Sequence, residues 1–178
     1  MKRYAKEVTV ALLFVTIFFV GTLSGASDVR AQEMGGTLTQ QIQGSWTLVS
    51  IYNEQDGKKT EVFGANPRGS MILTADGRFL MVLMNASLPK FASNIRTKGT
   101  TEENKAVVQG SIAYFGSYKV ANEKEHMVNL RIEGSTFPNW DGQEQKRFMT
   151  VIGDEMQYTN PTPAVGGGTN YIVWKRVK

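Results

Sequence analysis

The chain contains no cysteine. That one absence excludes disulfides, thiolate metal sites, a cysteine nucleophile and lipobox-type lipid attachment. Histidine is almost as scarce. His126 stands alone, so neither a histidine-rich zinc site nor an H-E-x-x-H helix can be assembled, and no metal dependence is expected. No G-x-S-x-G elbow occurs, which excludes an α/β-hydrolase. Gly166-Gly167-Gly168 has the glycines of a phosphate loop, but Thr169 and a β-like run follow where Lys-Ser/Thr and a helix are needed. Dense basic runs interleaved with aromatics are missing too. Lys2, Arg3, Lys6 and Arg30, set against Glu7 and Asp28, supply half of the net charge of +4. The remainder is too weakly basic to imply nucleic acid or an anionic membrane surface as a partner. Nothing in the composition calls for a cofactor.

What is present begins at the N-terminus. Lys2, Arg3 and Lys6 precede the uncharged apolar run Val8 to Leu23, and Val29-Arg30-Ala31 places small residues at −3 and −1 of a cleavage site. This order predicts a secretory signal peptide over residues 1–31 and a periplasmic or secreted protein. The uncharged stretch extends to Ser27, long enough to span a bilayer if it were retained. Thr9, Thr16, Gly21 and Thr22 dilute it, and the small-residue site favours removal. Contact with the membrane is therefore expected only through this segment, if uncleaved. Residues 32–43 read as a lead-in, within which Leu38 and Ile42 suit a short capping helix. Residues 44–178 form one domain, large enough to bury a core of its own without disulfides.

From Gly44 onward, short β-like runs alternate with turn signals, the pattern of an all-β sandwich or barrel. Runs are predicted at Trp46 to Tyr52, Thr60 to Phe63, Ser70 to Thr74 and Arg78 to Met84. Four more follow at Tyr114 to Ala121, His126 to Thr136, Lys146 to Ile152 and Met156 to Thr159, and Thr169 to Val177 is the last. Ala75-Asp76-Gly77 between two apolar runs marks a hairpin. Asn85 to Gly99 has no clear period and reads as a long loop. Thr100 and Glu103 stand at capping-box spacing, predicting one helix from about Thr101 to Ile112. His126, Val128, Leu130 and Ile132 share one parity and Met127, Asn129, Arg131 and Glu133 the other, so one face of that strand is buried and one is wet.

Gly44-Ser45-Trp46 opens the first run and Trp174-Lys175-Arg176 closes the last. Between them come Asn66-Pro67-x-Gly69, Asp76-Gly77-Arg78-Phe79, Gly116-Ser117-Tyr118, His126-x-Val128, Pro138-x-Trp140-x-Gly142, Gln145-x-Arg147 and Tyr171-x-x-Trp174. In this order the set resembles the bacterial lipocalin-like domain family, over nearly all of Gly44 to Arg176. The resemblance implies an antiparallel barrel of about eight to nine strands with one short helix. It also implies that Trp46 closes one end, with Arg176 packed across its indole. Members stand alone or beside biosynthetic enzymes, so the resemblance does not choose between carrier and catalyst.

Candidate site residues follow from parity and residue type. Arg147, Arg131 and Glu133 are charges within strands, which would orient a polar ligand or perform acid/base chemistry if they point inward, and pair across the outer face if they do not. His126 shares the inward parity and is either a cavity group or a hydrogen-bonded structural histidine. Trp140 either stacks on a flat ligand at the cavity rim or plugs the barrel end. Met81, with the other strand methionines, suits a pocket for variable apolar ligands or ordinary core. The expected function is an exported binding protein for a small apolar or amphipathic ligand held in the barrel. The alternatives are a cofactor-independent isomerase, cyclase or hydrolase using Glu133, Arg147 and His126, and an envelope interaction protein whose barrel is filled.

Overall fold

The structure, a computed structural model, describes residues 36–178; the signal-peptide reading lies outside them. Thr37 begins the described order with a capping box: its side chain accepts from the Gln40 amide, and Gln40 answers to the Thr37 amide. This satisfies the free donors of a helix only five residues long, α1 (Leu38–Ile42). The lead-in thus ends in the short helix that Leu38 and Ile42 suggested.

Nine strands follow. They are β1 (Gly44–Gln55), β2 (Lys58–Glu61), β3 (Arg68–Leu73), β4 (Arg78–Met84), β5 (Ser111–Asn122), β6 (Met127–Ser135), β7 (Glu144–Ile152), β8 (Glu155–Asn160) and β9 (Thr169–Arg176). Neighbours in sequence pair antiparallel from β3 to β9, and β1 pairs with both β3 and β9. Eight strands therefore close on themselves, leaving no free edge in the ring. β2 is the extra strand. It hairpins back on the second half of β1, where Tyr52 to Gln55 face Lys58 to Glu61, while Gly44 to Thr47 face β3. One helix, α2 (Thr101–Gly110), carries the predicted capping box on Thr100 and Glu103. It ends two residues earlier than expected because Ser111 is already extended and enters β5 directly.

Alternation in the strands builds the core. Val128, Leu130 and Ile132 of β6 are fully buried while Arg131 and Glu133 face out, and Phe79, Met81 and Leu83 do the same for β4, whose parity the sequence left open. β1 changes face midway. A bulge between Leu48 and Ser50 inserts one residue, so Trp46 and Leu48 point inward before it and Ile51 and Asn53 after it. A second bulge lies between Phe115 and Gly116. A Cβ on Gly116 would stand 1.9 Å from the Arg131 carbonyl oxygen, so only glycine fits there.

Trp46 lies at one end of the barrel, between α1 and the end of β9. Its indole Nε1 donates to the Ile42 carbonyl at 2.9 Å, and the Arg176 guanidinium lies 4.2 Å from its ring centroid. Arg176 also donates to the Gln43 and Gln41 carbonyls at 2.7 and 2.6 Å, fastening the exit of α1 to the last strand. The Leu38 amide donates to Glu123 in the β5–β6 turn, holding the start of α1 over the same end. Charged hydrogen bonds and a stacked cation each contribute about 1 kcal/mol, so Arg176 fastens α1 to the last strand. Arg176→Ala is expected to lower unfolding free energy in urea by about 2–4 kcal/mol, and Arg176→Lys by about half of that. A loss under about 0.5 kcal/mol, ordinary for a surface site, would remove Arg176 from the closure.

Candidate ligand cavity

Register places the open space. Trp46 is opposite Arg176 at the closed end, Ile51 opposite Ile172 further along, and Asn53 opposite Asn170 beyond that. From Ile51 and Ile172 outward, the barrel encloses a cavity of about 440 Å³. Its wall comes from inward positions at the far ends of β1, β4, β5, β8 and β9, including Ile51, Leu83, Ile112, Tyr114, Asn160, Asn170 and Ile172. Val62 and Phe63 enter after β2, Phe137 and Trp140 through the 3₁₀ turn Pro138–Trp140, and Ala164 and Val165 from the β8–β9 connection. Val107, Val108 and Gln109 of α2 form the lip. The helix carries no buried residue, and Val108 is 78 % exposed. Glu103 ties the preceding loop to α2, accepting from the Ala92 and Thr100 amides at 2.8 Å each. Those hydrogen bonds, Ala92 first, hold its carboxyl below the usual range.

Among the described residues, no acidic or basic side chain lines this cavity. Aromatic edges dominate one wall. Trp140 meets Tyr114 edge-on at 5.2 Å between ring centroids and Phe137 edge-on at 5.8 Å, while Tyr114 meets Phe79 at 5.8 Å below. Such contacts fix the rings without closing the space above them.

Tyr114 is the floor. Its hydroxyl donates to the Met81 sulfur at 2.9 Å. Beneath it lies Arg147, with no exposed surface and no carboxylate within ion-pair distance among the described residues. Three hydrogen bonds replace the missing counter-ion. Nε donates to the Tyr158 hydroxyl at 2.9 Å, Nη1 to the Lys146 carbonyl at 2.7 Å and Nη2 to the Gln145 side-chain oxygen. A buried guanidinium is tolerable only when so satisfied. Burial works against its charge, but Tyr158 and Tyr114 outweigh burial and raise its pKa. Burial likewise pushes the Tyr114 hydroxyl well above the usual phenol range, with Tyr158 adding to the shift and Arg147 opposing it.

The sequence-predicted residues divide three ways. Trp140 lines the cavity, while Arg147 and Met81 are interior but lie below the floor. His126 is a correction. It occupies the turn before β6 with φ of 55°, at the closed end, and its Nδ1 is 3.3 Å from Thr150 Oγ1. Inward parity does not bring it to the cavity because the β5–β6 turn is at the opposite end of the barrel from the opening. Glu133 and Arg131 are corrected as well. Both face outward, and Glu133 binds Arg78 through both carboxylate oxygens, a pairing that depresses its pKa. Glu133, Arg147 and His126 therefore share no cavity, and the acid/base set proposed from them does not assemble. Sequence reasoning missed Asn53, Asn160 and Asn170, which occupy inward strand positions next to the opening. Polar residues on the apolar parity of a strand were the available signal, but Asn160 before Pro161 reads first as a turn.

The Tyr114 shift carries a pH dependence. Its hydroxyl holds its proton more tightly folded than unfolded, so its contribution to stability is complete below pH about 10 and is lost as pH rises through the folded pKa. Unfolding free energy is expected to fall above that pH, and Tyr114→Phe to flatten the fall. Equal slopes for wild type and variant in denaturant titrations would contradict the assignment.

With this geometry described, comparison with known proteins adds two findings. The model of the lipocalin-like domain family matches residues 43–177. A relative from Aspergillus oryzae, the 4'-hydroxy-3'-methoxypropiophenone carrier protein ppsC, is 24 % identical over 103 residues, covering 53 % of this chain and 93 % of the relative. The match spans the closed barrel from the entry of β1 to the end of β9, and the chain belongs to the lipocalin-like domain family.

Proposed function

We propose that the protein is an exported carrier that takes one small, uncharged, largely apolar molecule into the open end of its barrel. The observation that carries this reading is the cavity of about 440 Å³, lined by no charged side chain among the described residues. Its size falls in the range of small-molecule sites, and its few polar groups among apolar walls match their usual composition. Membership of a ligand-binding barrel fold and a relative named as a carrier support a binding role in general. Export rests on Lys2, Arg3 and Lys6 before the apolar run from Val8, with small residues before Gln32. A soluble barrel with an apolar mouth suits carriage across an aqueous compartment, where such a ligand would otherwise partition into membrane.

The test is native mass spectrometry of the protein purified from its own source, with organic extraction and N-terminal sequencing. The expected result is a neutral adduct of one molecule per chain on a protein beginning at Gln32. Ile112→Trp, which places a large ring in the cavity, is expected to weaken uptake of the neutral probe N-phenyl-1-naphthylamine by about tenfold or more. An adduct-free protein that also ignores this probe contradicts the carrier reading, and an intact N-terminus on protein recovered from the cytoplasmic fraction contradicts export.

A further inference from the structure

Three asparagines form a single row across the opening. Asn53 on β1 is paired with Asn170 on β9, and Asn170 with Asn160 on β8. All three point inward and all are at least nine-tenths buried. Buried amides in the wall of an apolar cavity are costly unless each polar atom is matched, so the fate of each atom is informative.

The hydrogen bonds orient the row without ambiguity. Asn53 Nδ2 donates to the Gly167 carbonyl at 3.0 Å and to Asn170 Oδ1 at 2.9 Å, so both of its amide protons are used. A carbonyl can only accept, which fixes the Asn53 amide; the shared bond then fixes Oδ1 of Asn170 as the acceptor. Asn160 Oδ1 accepts from the Thr162 backbone N–H at 3.0 Å, which fixes the third amide. The glycine run supports this arrangement. Gly166, Gly167 and Gly168 all have positive φ, and a Cβ on Gly168 would come within 2.5 Å of the Glu54 carbonyl. Only this backbone brings the Gly167 carbonyl down onto Asn53. The Gly-rich segment is therefore a brace for the amide row.

Two donor groups remain. Nδ2 of Asn160 and Nδ2 of Asn170 have no hydrogen-bond acceptor among the described residues, and both residues line the cavity. They stand side by side on paired strands, each locked by its own engaged oxygen. We propose that Asn160 and Asn170 form a twin amide donor that anchors the acceptor oxygen of an uncharged ligand, of the class of apolar compounds bearing a ketone or similar carbonyl. This rests on the cavity-binding reading above and specifies it.

The chemistry selects the class by elimination. A pure hydrocarbon entering the cavity would strip water from both donors and return nothing. A ligand whose only polar group is a donor would meet two further donors. A carboxylate would satisfy the amides but would bury its charge in a cavity with no cation on its wall. A neutral carbonyl has two lone pairs for two N–H groups, and the rest of the molecule is left to Phe63, Phe137 and Trp140.

The experiment compares three molecules of one shape by isothermal titration calorimetry, using the protein as its source processes it. These are 2-acetylnaphthalene, 2-isopropenylnaphthalene, in which C=CH₂ replaces C=O, and the anion 2-naphthoate. The ketone is expected to bind about tenfold tighter than the alkene, as two modest hydrogen bonds require, and naphthoate to bind weakest. In Asn160→Leu and Asn170→Leu the ketone-to-alkene ratio is expected to fall to about twofold or less, the alkene serving as the reference within each variant. Asn160→Ala and Asn170→Ala remove the donors without adding bulk or charge, and are expected to abolish the same preference. They serve where a leucine variant does not fold, as judged by circular dichroism. Equal wild-type affinities for ketone and alkene, a preference that survives in the variants, or tighter binding of naphthoate would each overturn the amide anchor while leaving the cavity as a binding site. Failure of ketone and alkene alike to bind the wild type would instead defeat the cavity reading itself.

Discussion

The pairing of β1 with β9 is the constraint on which the rest of the molecule depends. It joins the first and last strands of the domain and turns a twisted sheet into a ring. It also positions everything that matters at both ends. Trp46 faces Arg176 at one extreme of the ladder and Asn53 faces Asn170 near the other. The bulge at Leu48 to Ser50 lies between them, and without it the two ends of β1 could not both supply inward residues in this register. A long-range pairing of this kind costs chain entropy that local contacts cannot offset. The charged, multiply bonded Arg176 is placed where that cost is met.

The interior then divides by content. Large side chains fill the lower half, with Trp46, Trp174, Met71, Met149 and Met156 fully buried. The upper half is left empty because its inward residues are mid-sized or set back behind the rim, and because Tyr114 is pinned by Trp140 and Met81 rather than free to fold upward. Arg147 contributes from below. A cation with no carboxylate partner among the described residues is held by Tyr158, Gln145 and a backbone carbonyl, which fixes the layer under the floor. Charge stays off the cavity wall: Arg147 is held in this layer, Arg176 at the closed end, and Arg78 and Glu133 meet on the outer face.

Much of this was readable from sequence, and the reasons are particular. The stacking of Arg176 on Trp46 was an implication of the family resemblance, carried by Gly44-Ser45-Trp46 and Trp174-Lys175-Arg176 at the two ends of the domain. The faces of β6 were visible because Val128, Leu130 and Ile132 alternate with charged or polar neighbours. The cavity was not visible, since emptiness is a property of how inward residues from five strands and the segments between them fail to meet. His126 had the right parity and the wrong end, because parity fixes the face of a strand but not the height along the barrel axis. Glu133 found its partner in Arg78, far away in the chain and adjacent only after the sheet forms. The asparagine row required register across three strands, information that no single strand contains.

The most direct test of a neutral cavity at one end of a sealed barrel is a nitrogen-15 amide NMR titration with 2-acetylnaphthalene. The account predicts saturable shift changes clustered at Val62 and Phe63, Val107 to Tyr114, Phe137 to Trp140 and Asn160 to Ile172, with the amides around Trp46, His126 and Arg176 unmoved. Shifts spread over the outward residues, or centred on the closed end, would contradict it.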